Sequence, residues 1–225
     1  MPNAYLTTFS IVAHCPQTGE LGVAVSTAIP AVGAINPFAR ARVGAIATQA
    51  WSNPYLGIDG LRFLARGLSA TETLERLLRA DVDRENRQLS IVDAHGGTAA
   101  FTGDEVQPWS GHREGNGYVV AGNLLTSEGT IRAMAESFER TRGPLAERLV
   151  AALEAGQAAG GDRRGKVSAA LLVVKDEAYP YLDLRVDEHA DPVAELRRIF
   201  DLYVTLPYLN DLHPGRTWHQ EDEGQ

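Results

Sequence analysis

Two periodicities alternate along the chain. Residues 7–13 begin with two hydroxyls and continue as a short β-like run, Phe9-Ser10-Ile11-Val12-Ala13. Residues 21–26 form a partner run, and the turn formers Pro16, Thr18 and Gly19 between them predict a hairpin. Residues 43–50 read as a third strand with small side chains on both faces, which lets another layer or a ligand approach closely. Trp51-Ser52-Asn53-Pro54 breaks that pattern. Ile58, Leu61 and Leu64 then recur at helical spacing. Ser69-Ala70-Thr71-Glu72 is a capping-box pattern for a second helix that faces inward through Leu74, Leu77 and Leu78.

The pattern then repeats. Residues 87–93 and 98–102 predict a hairpin turning at Gly96-Gly97. Residues 109–112 read as a loop, and 117–125 as a strand ending in Gly122-Asn123. Ser127 caps a helix with Ile131, Met134, Ala135 and Phe138 inward. Gly143-Pro144 starts another, through Leu145, Leu149 and Leu153. Residues 167–174 are almost continuously apolar, so this strand is expected to be central and covered on both faces. Residues 181–186 alternate and pair with it. Asp191-Pro192 opens a last helix with Leu196, Ile199, Phe200, Tyr203 and Val204 in its stripe.

Hairpins dominate and helices come in pairs. This predicts an α+β fold with mostly antiparallel sheets, arranged as a four-layer αββα sandwich or as an ordinary two-layer α+β domain. Residues 1–225 read as one domain, with 1–7 an N-terminal extension and 214–225 a polar tail. The apolar stretch 28–38 is expected to be a buried loop or a subunit contact, which points to a homo-oligomer.

Composition narrows the chemistry. A formal net charge of -8 and a sequence pI near 5.3 do not suit nucleic acid or an anionic membrane as partner. The lone Cys15 excludes an internal disulfide framework and a cysteine-rich zinc site. No apolar run is long enough to span a bilayer, and no signal peptide is evident, so a cytoplasmic location is expected. Six histidines are scattered without metal-ligand spacing, and no phosphate loop or dinucleotide fingerprint occurs. No metal or other cofactor is therefore expected.

Several stretches together resemble one family. They are Thr8-Phe9-Ser10-Ile11-Val12-Ala13, residues 19–25, residues 43–50, Gly122-Asn123, and residues 156–165 with Ser168-Ala169-Ala170-Leu171. Across residues 8 to 205 the chain resembles the domain-of-unknown-function family 1028, grouped with the N-terminal-nucleophile (Ntn) hydrolases. The resemblance implies the αββα sandwich and amide hydrolysis, and the function expected here is hydrolysis of a small amide-containing metabolite. Members often begin with Met followed directly by the Thr of the Thr-Phe-Ser run. Here Met1-Pro2-Asn3-Ala4-Tyr5-Leu6-Thr7 precedes Thr8, so Thr8 becomes terminal only through a cut after Thr7.

The candidate residues follow. Thr8 is the nucleophile, with its freed α-amine as base; Thr7 and Ser10 are rivals. Asn123 is the oxyanion donor. Arg40, Thr48, Gln49, Asp162, Arg164 and Ser168 are the substrate-binding set. Asp162 would take an ammonium and an arginine a carboxylate. The rival reading is a catalytically inactive small-molecule-binding or assembly protein that keeps the pocket.

Overall fold

The apolar runs pair into two sheets in a computed structural model, which describes residues 8–206 and the backbone of Tyr5–Leu6. The expected tail at 214–225 lies outside the described residues, as do residues 1–4 and 7 of the extension. The first sheet holds β1 (Tyr5–Leu6), β4 (Pro37–Arg40), β5 (Gly44–Trp51), β6 (Arg87–Asp93) and β7 (Thr98–Thr102). Its order is β1-β5-β6-β7, with β4 also paired to β5. The second sheet contains β2 (Thr8–His14), β3 (Leu21–Thr27), β8 (Gly111–Gly115), β9 (Tyr118–Gly122), β10 (Ser168–Val174) and β11 (Leu182–Val186). Its order is β11-β10-β3-β2-β9-β8. Every pairing among the described residues is antiparallel.

Among the described residues five α-helices cover these sheets: α1 (Pro54–Leu64), α2 (Ala70–Ala80), α3 (Gly129–Arg140), α4 (Leu145–Ala158) and α5 (Pro192–Val204). Phe9, Ile11, Ala24 and Leu171 of the second sheet pack against Met134 and Phe138 of α3, Leu149 and Leu153 of α4, and Leu196 of α5. Ile46, Leu89 and Ile91 of the first sheet pack against Leu56 and Leu64 of α1 and Leu74 and Leu77 of α2. A third cluster joins Val12, Val23 and Val119 of the second sheet to Ala45, Ala47 and Val92 of the first. The small side chains of β5 permit that close approach. Burying each large apolar side chain contributes about 1.5–3 kcal/mol.

The capping box of α2 forms with both of its reciprocal bonds, and Asn53 accepts from the Tyr55 N–H ahead of Pro54. The stripe expected for α1 is displaced. Ile58 is exposed, while Gly57 and Gly60 face the sheet. A Cβ at Gly57 would lie 2.2 Å from the Phe38 ring, and one at Gly60 2.5 Å from Ile46 Cδ1. The helix therefore packs through its missing side chains. β4 and β8 also depart from the sequence pattern. β8 is polar or glycine at every position, His112, Arg113 and Glu114 between Gly111 and Gly115, and is set by its ladder with β9. The 28–38 stretch folds onto β10, with Val32 against Val25 and Ala170.

Candidate active site

β2 alternates its faces, as a strand must. Phe9 and Ile11 look toward α3 and α4, while Ser10 and Val12 look toward the first sheet. Thr8 shares the face of Ser10 and is fully buried. Its Oγ1 finds no hydrogen-bond partner among the described residues. The backbone around it is well held. Thr8 pairs with Thr27 of β3, and its carbonyl accepts from the Asn123 N–H at 3.0 Å.

Tyr5 and Leu6, before Thr8, belong to the other sheet. Tyr5 pairs with Trp51 and Leu6 with Ala50.

Asp162 reaches the same end of the second sheet. Gly160 (φ +117°) and Gly161 (φ +57°) close α4, with the Gly161 N–H donating to the Gly156 carbonyl and the Gly160 N–H to that of Gln157. This pair of bonds is a Schellman ending, which demands left-handed backbone. It delivers the Asp162 side chain to the end of β3, wholly buried. Its Oδ2 accepts from the Ala28 N–H at 3.2 Å, one residue beyond the partner of Thr8, and from Arg164 Nη2 at 3.1 Å. The Arg164 N–H donates to Oδ1 at 2.9 Å. The run expected to be a ligand loop is therefore first a helix terminator and a carboxylate mount.

Between the sheets lies a chain of amides. Ser10 Oγ donates to Gln49 Oε1 at 2.7 Å, and Asn36 Nδ2 to the same oxygen at 3.3 Å. Gln49 Nε2 donates to Gln88 Oε1 at 2.8 Å, and Asn123 Nδ2 to the same oxygen at 3.0 Å. Gln88 Nε2 lies 2.9 Å from the Gly122 carbonyl, 3.1 Å from that of Gly111 and 2.9 Å from Thr102 Oγ1. Gln88 carried no sequence signal beyond its place in a strand. Its counterpart was among the expected substrate-binding residues: Gln49 of β5 stands opposite Gln88 of β6.

The expected substrate-binding residues separate into two groups. Gln49, Asp162 and Arg164 are carried to this end of the molecule with Thr8 and Asn123. Thr48 is not: it faces the α1 side of β5, its hydroxyl 3.4 Å from the Asn53 carbonyl, because consecutive strand residues cannot share a face. Arg40 pairs with Gly44, whereas Leu6 pairs with Ala50, so Arg40 stands about 20 Å away along β5 at strand rise. It is exposed. Ser168 pairs with Thr27 but anchors the following loop, donating to the Ile29 carbonyl and accepting from the Val32 N–H. Two non-glycine residues with left-handed backbone flank the amides: Ala50 (φ +66°) follows Gln49 and Leu124 (φ +50°) follows Asn123.

One titration shift borders the amides: burial lowers His112, against the opposing pull of Glu114, and its Nδ1 lies 2.9 Å from Thr102 Oγ1, the partner of Gln88 Nε2. Burial lowers His14, at the far end of β2, against the opposing pull of Asp93. Burial first, with the Glu139 carboxylate that Tyr118 Oη donates to, pushes Tyr118 up to about 12.

The family of unknown function DUF1028 matches residues 8–196, from the buried threonine to the last helix. The chain belongs to DUF1028. A DUF1028 protein of known crystal structure, from Silicibacter pomeroyi, is 32% identical, covers 91% of this chain over 92% of its own length, and superimposes with a TM-score of 0.84. The match to Anbu (ancestral beta-subunit) from Yersinia bercovieri has a TM-score of 0.40 at 12% identity, over 88% of this chain and 98% of that one. No curated protein matches the chain. No helix among the described residues is long and apolar enough to cross a membrane.

Proposed function

We propose that this DUF1028 chain is an Ntn-type amidohydrolase with a four-layer αββα sandwich. In this reading it hydrolyses a small amide-containing metabolite after the bond between Thr7 and Thr8 is cut. One observation carries the reading. Among the described residues Thr8 Oγ1 is buried without a partner, as are the hydroxyls of Ser26, Thr73 and Thr130, but Thr8 stands at the head of β2 on the face of Ser10, where Ser10 and the amides beyond it are bonded to one another. A buried hydroxyl without a partner costs about 1–3 kcal/mol, a cost that chemistry at that atom explains.

Cleavage would free the α-amine of Thr8. That amine accepts the Oγ1 proton, Oγ1 attacks the substrate carbonyl, and the leaving amine departs with the proton. Water then attacks the Thr8 ester and releases the acid. Backbone N–H groups and the second Nδ2 hydrogen of Asn123 serve the oxyanion. The Asp162 carboxylate, fixed beside the strand partner of Thr8, serves an ammonium there.

A second reading keeps the fold as a binding module. The pairing of Tyr5 and Leu6 with Trp51 and Ala50 favours it, because Thr8 then keeps an amide nitrogen that cannot act as base. Intact mass after incubation with a β-lactone acylating probe separates the two. The hydrolase loses residues 1–7 and gains one acyl group. Thr8→Ala stays full-length and unlabelled, and Thr8→Ser keeps part of both. Labelling that survives in Thr8→Ala and vanishes in Ser10→Ala would move the nucleophile and sink the assignment.

A further inference from the structure

Gln88 makes no hydrogen bond to Thr8 itself, but it holds two residues expected to meet substrate, Gln49 and Asn123, and both sheets converge on it at this end. It projects from β6 of the first sheet and is fully buried. Its Nε2 reaches the Gly122 carbonyl of the second sheet, one residue before Asn123, whose N–H holds the Thr8 carbonyl. Its Oε1 holds the Asn123 side chain directly.

The two ends of the amide cannot be exchanged. Backbone carbonyls only accept, so the end facing Gly111 and Gly122 must be the NH₂. Oε1 must then face Gln49 and Asn123, and both must present their own NH₂ groups to it. Gln49 Oε1 is left facing Ser10, whose hydroxyl donates to it. Two carbonyls on β8 and β9 therefore dictate the orientation of three side-chain amides in sequence.

We infer that Gln88 is the positioning residue of the Thr8 centre: it fixes which way the Asn123 amide points and where the Gly122–Asn123 corner holds Thr8. The inference rests on the hydrolase reading above. Misplacing a reacting group by about an ångström costs on the order of 100-fold in rate. Gln88→Met fills the volume but makes none of these bonds.

The test uses two readouts on the full chain, well below the melting temperature of each variant. The first is the exchange rate of the Asn123 backbone N–H, followed by NMR against that of Val120 within β9. The second is the rate at which the β-lactone probe acylates Thr8. Gln88→Met is expected to speed Asn123 exchange about 10- to 100-fold relative to Val120 and to slow acylation by a similar factor. Gln88→Glu adds a pH signature. Burial raises its carboxyl above the ordinary range, so it donates to Gly122 while protonated and repels that carbonyl once ionised. The acylation rate of Gln88→Glu, divided by that of the wild type at each pH, should fall as pH rises.

Wild-type Asn123 exchange and acylation in Gln88→Met, with a flat ratio in Gln88→Glu, would overturn the positioning role while leaving the hydrolase reading intact. Accelerated exchange in Gln88→Met with a wild type that the probe never labels would overturn the hydrolase reading and the catalytic part of this role with it.

Discussion

The space between the two sheets is apolar at one end and polar at the other. Toward the β2–β3 turn, Val12, Val23 and Val119 meet Ala45, Ala47 and Val92. Toward Thr8, the same strands bring together Ser10, Gln49, Gln88 and Asn123. All of these residues are buried alike. The apolar end gains from every methylene it removes from water. The polar end gains only if each group is paired, and each pairing restricts its neighbour. Stability is therefore distributed in the first region and conditional in the second. A hydroxyl left unpaired in the conditional region stands out in a way it would not in a loop.

The comparison can be broken most severely at its apolar end. Leu21→Ala removes a fully buried side chain of that cluster and should cost about 2–5 kcal/mol in a denaturant midpoint experiment, with Thr8 labelling unaltered in the fraction that remains folded. A cost below 1 kcal/mol would mean the sheets repack freely and the contrast is empty.

Asn123→Ala comes next. Its side chain was expected to matter for turnover alone, yet it donates to Gln88 from a buried position. The variant should lose about 1 kcal/mol of stability as well as about two to three powers of ten in turnover. Unchanged melting would show that the bond to Gln88 contributes nothing in solution.

The smallest effect is the most discriminating. Thr8→Val replaces an unpartnered buried hydroxyl by a methyl of similar shape and should raise stability by about 1 kcal/mol, or roughly 2–4 °C in Tm. Ser10→Ala, two residues along the same face, leaves Gln49 short of a donor and should lower it by a similar amount. Equal signs for the two substitutions would end the claim that Thr8 is held for its chemistry.

Periodicity made most of the fold legible. The hairpins, the capping box, the covered strand at β10 and the helix pairs follow from spacing alone, and Ile11, Val25, Leu171 and Val173 are all fully buried. Thr8 stands at the head of β2, as its place in the run implied, and Asp162 follows the glycines that end α4. Other features were not. β8 has no strand composition and borrows its register from β9. Gln88 lies 35 residues from Asn123 and 39 from Gln49, and a glutamine in a strand is mute until the opposite sheet is known. Thr48 turns away from the face of Gln49 because adjacency in sequence is opposition in a strand. Arg40 stands at the far end of β5 because the chain folds back on itself before that strand.

The left-handed backbone at Ala50 has a consequence for how this protein can vary. Within a strand, valine and isoleucine are ordinarily the best tolerated residues and glycine and asparagine among the worst. At position 50 that ranking inverts, since φ of +66° is open to glycine, tolerable for asparagine and closed to β-branched side chains. Leu124 has the same backbone and a larger buried side chain, so glycine there relieves strain and loses packing at once. A saturation scan of β5 should thus show one position whose preferences run opposite to its neighbours, marking from sequence variation alone the corner where the ladder to β1 begins.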